Sequence, residues 1–316
     1  MLSDFLFILL ALGMLVAGAE ALVRGSASLA LRLGLTPLTI GLTVVAFGTS
    51  SPELVVSLKA AFAGQGDISI GNVVGSNIFN IGAILGITAL ICPIAVQWQL
   101  IKIDGPIMVA VSVLACLLLK DGSLSRAEGG LLVIGIIAYT AMNARLARQK
   151  TSEAVIEEFE EGIPSPTGHW SMDLALIVGG LAVLIWGSEL LVTHSVSFAR
   201  AMGVSEAVIG LTIIAAGTSM PELATSLVAA LRKEPDIAIG NVIGSNIFNL
   251  LSILGFASLV HPIHSDGVRV FDFMVMIAFA AILLPILWTG RKIQRLEGAA
   301  LLAGFFAYLF VLWPKG

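Results

Sequence analysis

The sequence predicts an all-α membrane protein of ten transmembrane helices, laid out as two inverted five-helix repeats. Three observations predict it. Of 316 residues, 57% are apolar and only 12% charged, about half the charge that a water-facing domain of this size carries. The chain also repeats itself: the 46 residues from Gly41 realign without a gap on those from Gly210, with 29 identities at an offset of 169. Finally, each copy holds five apolar runs, and a tandem unit with an odd number of spans must re-enter the bilayer in the opposite sense.

The first half has apolar runs near 4–23, 36–63, 68–91, 104–119 and 127–144. Its opening stretch LFILLALGMLVAGAE lacks a basic segment ahead of it and is closely followed by a second run, so it reads as a retained first span and not a cleaved leader. The second half has runs near 173–193, 205–230, 236–260, 270–288 and 296–313. At about 20 residues per span, these segments consume nearly the whole chain, which excludes a soluble enzyme with a membrane tail. The repeat also maps Gly18-Ala19-Glu20 onto Gly187-Ser188-Glu189, Cys92-Pro93-Ile94 onto His261-Pro262-Ile263, and Arg126-Ala127-Glu128-Gly129 onto Arg295-Leu296-Glu297-Gly298. The expected division is a first repeat over 1–147, a short acidic cytoplasmic linker over 148–169, and a second repeat over 170–316. The linker is too short to build a domain.

Lysine and arginine set the orientation. With the N-terminus outside, eleven of the seventeen fall on the cytoplasmic side and six on the other, so both termini are expected outside and the 145–170 loop inside. A net charge of −4, dispersed along the chain, leaves no electrostatic footprint for nucleic acid; the expected surroundings are lipid. Cys92 and Cys116 lie in or beside apolar runs with no neighbour at ligand spacing, and His169, His194, His261 and His264 lie near span ends without one either.

Each half carries one polar knot inside apolar sequence: Gly48-Thr49-Ser50-Ser51-Pro52-Glu53 in the second span and Gly217-Thr218-Ser219-Met220-Pro221-Glu222 in the seventh. Glycine and proline cost about 1 and 3 kcal/mol in a helix interior, so the pair predicts a kinked or broken helix. Carbonyls freed by a break are tolerated in lipid only when protein or an ion satisfies them. An intramembrane carboxylate needs a partner, and neither copy offers a basic residue at comparable depth, so a cation is the natural one. The following span carries Gly71-Asn72-Val73-Val74-Gly75-Ser76-Asn77-Ile78-Phe79-Asn80, matched by Gly240 through Asn249. Ser76 and Asn80 share a helix face, and Gly71 with Gly75 makes a small-residue surface for close helix approach. Alone, a Gly-x-x-x-Gly packs helices and a Thr-Ser caps or back-bonds to its own helix. Recurrence of the whole constellation argues instead for two Glu, two Asn and several hydroxyls meeting at a pseudo-twofold as an all-oxygen cage. Glu20 and Glu189 are expected to snorkel near span ends, and the acidic residues at 153–161 to be solvated linker.

At these residues the sequence resembles the sodium/calcium exchanger family of the cation/calcium antiporter superfamily, in its prokaryotic form. The resemblance implies a ten-helix inverted-repeat fold in which spans two, three, seven and eight form the ion site while spans one and six slide across it. It implies Glu53 and Glu222 as shared Ca2+ and Na+ ligands, with Asn80 and Asn249 lining the centre. Thr49, Ser50, Ser76, Thr218, Ser219 and Ser245 would add hydroxyls, and Ala46 and Ala215 backbone carbonyls, for flanking sodium sites. Some branches carry Asp at the position of Asn249; here both halves carry Asn. The large cytoplasmic Ca2+-sensing region of animal exchangers has no room in the 145–170 loop.

The expected function is therefore secondary antiport of Ca2+ against Na+ by alternating access, at a prokaryotic inner or plasma membrane, with no resident cofactor. Hard oxygen ligands suit these ions better than soft transition metals. H+/Ca2+ exchange is the alternative within transport, and a passive cation channel comes next. An intramembrane hydrolase is disfavoured, because Gly-Thr-Ser has no His or Lys base at its depth and catalysis gives no reason for symmetric duplication.

Overall fold

A computed structural model describes residues 2–149, 169–203, 215–264 and 270–312. Most of the acidic linker and the first part of the predicted seventh span, 205–214, lie outside the described residues. The first half comprises α1 (Leu2–Leu33), α2 (Pro37–Thr49), α3 (Ser51–Phe62), α4 (Gly66–Ile91), α5 (Leu100–Asp121) and α6 (Arg126–Gln149). The second comprises α7 (Trp170–Ala201), a helical turn Ala215–Gly217, α8 (Met220–Leu231), α9 (Pro235–Val260), α10 (Val270–Trp288) and α11 (Arg295–Leu312). Among the described residues eight helices are long and apolar enough to cross a membrane, and α2 with α3, bent by 46° at Ser50, makes a ninth when counted as one span. The chain is thus a mostly helical membrane protein; the predicted count of ten is not reached among the described residues, because the seventh span is described only from Ala215.

Helices α4 and α9 form the centre, with 72% and 89% of their most apolar stretch buried. Val73, Ile78 and Ile84 of α4 meet Ile239, Val242 and Ile247 of α9 in one core that also takes residues from α5, α6, α10 and α11. A second cluster joins α1 to α7 through Leu15, Leu22, Ile177 and Leu184. These two helices touch backbone to backbone: a Cβ on Gly18 would lie 2.8 Å from the Gly180 carbonyl oxygen, and one on Gly180 2.7 Å from that of Gly18. Only glycine permits this approach. Both helices have 32 residues and overrun the predicted 4–23 and 173–193. Near the end of α1, Arg32 is satisfied within the helix pair, donating to the buried Asp173 at 2.5 Å. Glu20 is accordingly well inside α1, where it pairs with Arg232 just beyond the end of α8.

Four short strands tie the halves together. β1 (Ile94–Ala95) pairs antiparallel with β4 (Lys292–Ile293), and β2 (Ser123–Leu124) with β3 (Ile263–His264). The repeat offset turns β1 into β3 and β2 into β4, so the two pairings are copies of each other. The turn after α3 carries Gly64 at φ 69°, and the turn after α5 carries Gly122 at φ 75°. Their copies are Lys233 at φ 64° and Arg291 at φ 51°, two bulky residues in the left-handed region that normally favours glycine.

Candidate functional site

The break at Ser50 is a change of helix. Ser50 (φ −81°, ψ 7°) leaves helical geometry, and Ser51-Pro52 opens α3 with proline in its first turn, where the missing N–H costs nothing. Ser219 (φ −91°, ψ 10°) repeats this ahead of α8. Glu53 and Glu222 thus sit in the first turns of two helices, where the helix dipole favours negative charge, and both are fully buried.

Neither Ser50 nor Ser219 caps its own helix. Instead each reaches across to the other half: Ser50 Oγ donates to Glu222 Oε1 at 2.9 Å, and Ser219 Oγ donates to Glu53 Oε1 at 2.9 Å. Behind each carboxylate stands an amide. Asn72 Nδ2 donates to the Glu53 carbonyl at 3.2 Å and to Ser57 Oγ at 2.9 Å, while Asn241 Nδ2 donates to the Glu222 carbonyl at 3.4 Å and to Ser226 Oγ at 3.0 Å.

Asn80 and Asn249 each open a π-helical turn, Asn80–Leu85 and Asn249–Ile253, which widens α4 and α9 where they face one another. Their side chains are fixed by residues that the sequence reading left without a role. Asn80 Nδ2 donates to Asn246 Oδ1 and Asn249 Nδ2 to Asn77 Oδ1, both at 3.0 Å. Asn77 and Asn246 also donate to one another's carbonyls, at 3.2 and 3.4 Å. With each Nδ2 turned toward the other half, the Oδ1 atoms of Asn80 and Asn249 have no hydrogen-bond partner among the described residues. The same holds for Oε2 of Glu53 and of Glu222. Two carboxylate and two amide oxygens, all on fully buried residues, are left as bare acceptors in a two-fold pattern. An unpaired buried acceptor is costly, and a hard cation is the partner that would satisfy all four.

The hydroxyls break the symmetry. Thr49 Oγ1 donates to Asn241 Oδ1 at 3.0 Å and Ser76 Oγ lies 3.2 Å from Ser219 Oγ, whereas among the described residues Thr218 Oγ1 and Ser245 Oγ have no such partner. The carbonyls freed by the breaks are partly taken. Ala46 O accepts the Ser50 amide at 3.1 Å and Thr49 Oγ1 at 3.4 Å, and Gly217 O accepts Ser188 Oγ at 2.5 Å. Ala215 opens its helical turn two residues earlier. Among the described residues, a Cβ on Gly71 or Gly75 meets nothing within 4 Å, while one on Gly244 would lie 2.7 Å from the Leu42 carbonyl oxygen. The expected close approach is therefore seen for the second copy only; the counterparts of Leu38–Leu42 lie at 207–211, outside the described residues.

Among the described residues no group of three or more His, Cys, Asp or Glu converges, so the centre rests on two carboxylates with neutral oxygens around them. Two formal negative charges match one divalent ion or two monovalent ones. The Asn72, Asn77, Asn241 and Asn246 amides were legible as motif letters, but their roles depend on which helix lies opposite.

A family profile described as "Sodium/calcium exchanger protein" matches the chain twice, over residues 3–144 and 172–313. CaxA of Alkalimonas amylolytica is 41% identical over 320 residues, covering 100% of both chains. The sodium/calcium exchanger MaX1 of Methanosarcina acetivorans is 35% identical over 344 residues, covering 98% of each. Among solved structures, the sodium-calcium exchanger NCX_Mj soaked with Na+ and Ca2+ superposes with a TM-score of 0.84 at 31% identity, covering 98% of this chain and 99% of that one.

Proposed function

The chain belongs to the sodium/calcium exchanger protein family, and from that premise we propose that it is a secondary antiporter exchanging Ca2+ for Na+ across a membrane by alternating access. The observation that carries the proposal is the set of four buried acceptors, Glu53 Oε2, Glu222 Oε2, Asn80 Oδ1 and Asn249 Oδ1. Ca2+ takes six to eight oxygens, and these four with the remaining carboxylate oxygens and water would meet that number at a net charge of zero. Na+ asks for fewer oxygens and less charge, which the Thr218 and Ser245 hydroxyls, without a partner among the described residues, can supply beside the same carboxylates. Thr49, Ser50, Ser76 and Ser219 would hold the cage in shape, and the Ala46 and Ala215 carbonyls would join as sodium ligands when neighbouring helix geometry changes. Ions that compete for one pair of carboxylates exchange by turns, and that is how obligatory antiport arises.

In this reading ten spans form two inverted repeats, 1–147 and 170–316, joined by the linker 148–169. Both termini lie outside and the 145–170 loop lies in the cytoplasm. The strand pairs support the layout: with ten crossings the turns bearing β1 and β4 fall on one side, and those bearing β2 and β3 on the other. The pairing of α1 with α7 through facing glycines gives a unit able to slide over the central helices.

The test is 45Ca2+ uptake into liposomes holding the purified protein, with an imposed gradient of Na+ or of pH. Uptake driven by internal Na+ and abolished without it is expected. Uptake that follows only the pH gradient would replace Na+ by H+ as the counter-ion, and uptake with no counter-ion at all would replace exchange by a channel.

A further inference from the structure

The face carrying β1 and β4 has a cleft of about 540 Å³ between that strand pair and the turn joining α8 to α9. Three cations line it, Lys233, Arg291 and Lys292. Among the described residues none of the three has an ion-pair or side-chain hydrogen-bond partner, while Arg291 lies over the Trp98 ring at 5.6 Å. Neighbouring carboxylates are engaged or enclosed. Asp236 accepts from Gln97 Nε2 at 2.6 Å, and Glu234 is only 7% exposed.

Comparison of the halves makes this cleft informative. On the opposite face the equivalent positions are Gly64, Gly122 and Ser123, all neutral, and Gly290 is replaced there by Asp121. The backbone bends the same way at both ends of the molecule: Gly64 and Gly122 do so with φ of 69° and 75°, Lys233 and Arg291 with φ of 64° and 51°. Lys233 and Arg291 are the two non-glycine residues with positive φ among those described. A preference for positive charge on the cytoplasmic side would be met by lysines anywhere on this face. It does not explain cations in the two strained positions, converging on one cavity.

We propose that this cleft binds a phosphate group, and that its occupant is the phosphodiester of an anionic phospholipid in the adjoining leaflet. Guanidinium and ammonium groups are the usual partners of phosphate oxygens, and arginine adds bidentate geometry. The lipid source follows from Trp98 and Trp288. They pack edge to face at 5.6 Å beside the cleft, are 46% and 61% exposed, and mark the headgroup level where tryptophan collects. The proposal does not depend on which ions the protein carries.

The test is thermal unfolding of the full-length protein in detergent, titrated with short-chain phosphatidylglycerol, with phosphatidylcholine, or with inorganic phosphate against chloride at equal ionic strength. The double variant Lys233→Gly/Arg291→Gly installs the residues the first half uses, and Lys233→Asn/Arg291→Asn, which also tolerates the left-handed region, serves should the first misfold. Lys120→Gln on the opposite face is the control. Phosphatidylglycerol should raise the melting temperature of the parent and the control by about 3 °C or more over phosphatidylcholine, with no rise in the double variants. Equal rises in all proteins, or no rise in the parent, overturn the proposal. A rise with inorganic phosphate alone, lost in the double variants, keeps the phosphate site and overturns the lipid as occupant.

Discussion

The two halves of this chain agree where they meet and differ where they turn. Around the centre four bonds between the halves answer one another in pairs: Ser50 to Glu222 and Ser219 to Glu53, Asn80 to Asn246 and Asn249 to Asn77. At the turns the copies part. Gly64-Gln65 faces one side and Lys233-Glu234 the other, and Glu20 finds Arg232 whereas the exposed Glu189 has Ala63 at the equivalent place. The carboxylates and amides at the centre face their own copies across the pseudo-twofold, so a bond made by one half can be returned by the other. The two faces meet different solutions and different leaflets, and nothing holds them alike.

The largest effect should come from breaking the centre. Glu53→Gln and Glu222→Gln remove half its charge and should each reduce Ca2+ flux by at least about 100-fold, since uncompensating a buried charge site costs several kcal/mol. Near-normal flux in either purified variant would refute the shared-ligand reading, and loss in one alone would refute the symmetry. Next come the asparagines that lock the halves. Asn77→Ala and Asn246→Ala leave buried amides unpaired and should each lower unfolding stability by about 1–3 kcal/mol, to similar extents. A difference larger than that range between the two would show that the reciprocal bonds are unequal.

The hydroxyls sharpen the comparison. Thr49→Val loses a bond to Asn241 and should cost about 1 kcal/mol of stability, while Thr218→Val, which removes no equivalent bond among the described residues, should cost less. If Thr218 serves Na+, its variant raises the Na+ concentration needed for half-maximal exchange; an unchanged Na+ dependence would remove it from the sodium site.

Glu234 tests the turns. Burial, reinforced by Asp236, pushes its carboxyl up to about 7 from 4.5. Because the folded value lies above the unfolded one, this group's contribution is fully present below about pH 4.5 and is lost as pH rises through 7. The parent's melting temperature should fall between about pH 5 and 8. Glu234→Gln, which copies Gln65 of the first half, should fall less; parallel curves would show that Glu234 does not sense its burial. The smallest effect is expected from Glu20→Gln. An ion pair this exposed is worth under about 1 kcal/mol, so the variant should change exchange rates by no more than about 5-fold, and Glu189→Gln by less.

Much of the centre was legible in the chain alone. The offset of 169 located both copies, glycine and proline located both breaks, and the lack of a basic residue beside Glu53 and Glu222 pointed to a cation. These are local signals, written in spacing and composition. The sequence also misled locally. Glu20 and Arg24 read as the end of the first span, yet α1 continues to Leu33, where Arg32 meets the buried Asp173, remote in sequence.

The sequence by itself determined the solvent, the duplication and the residue types at the centre, because each of these depends on apolar content and on period along one chain. Only the tertiary structure decided that Ser50 and Ser219 serve the other half's glutamate instead of their own helices. It alone decided that Asn77 and Asn246 take the Nδ2 groups of Asn249 and Asn80, and that one oxygen on each of Glu53, Glu222, Asn80 and Asn249 is left without a partner among the described residues. Those contacts join residues 166 to 172 apart, and no local rule of helix geometry reaches that far. Which lone pair is left for an ion depends on what stands opposite, and what stands opposite is set only when the two halves close on each other.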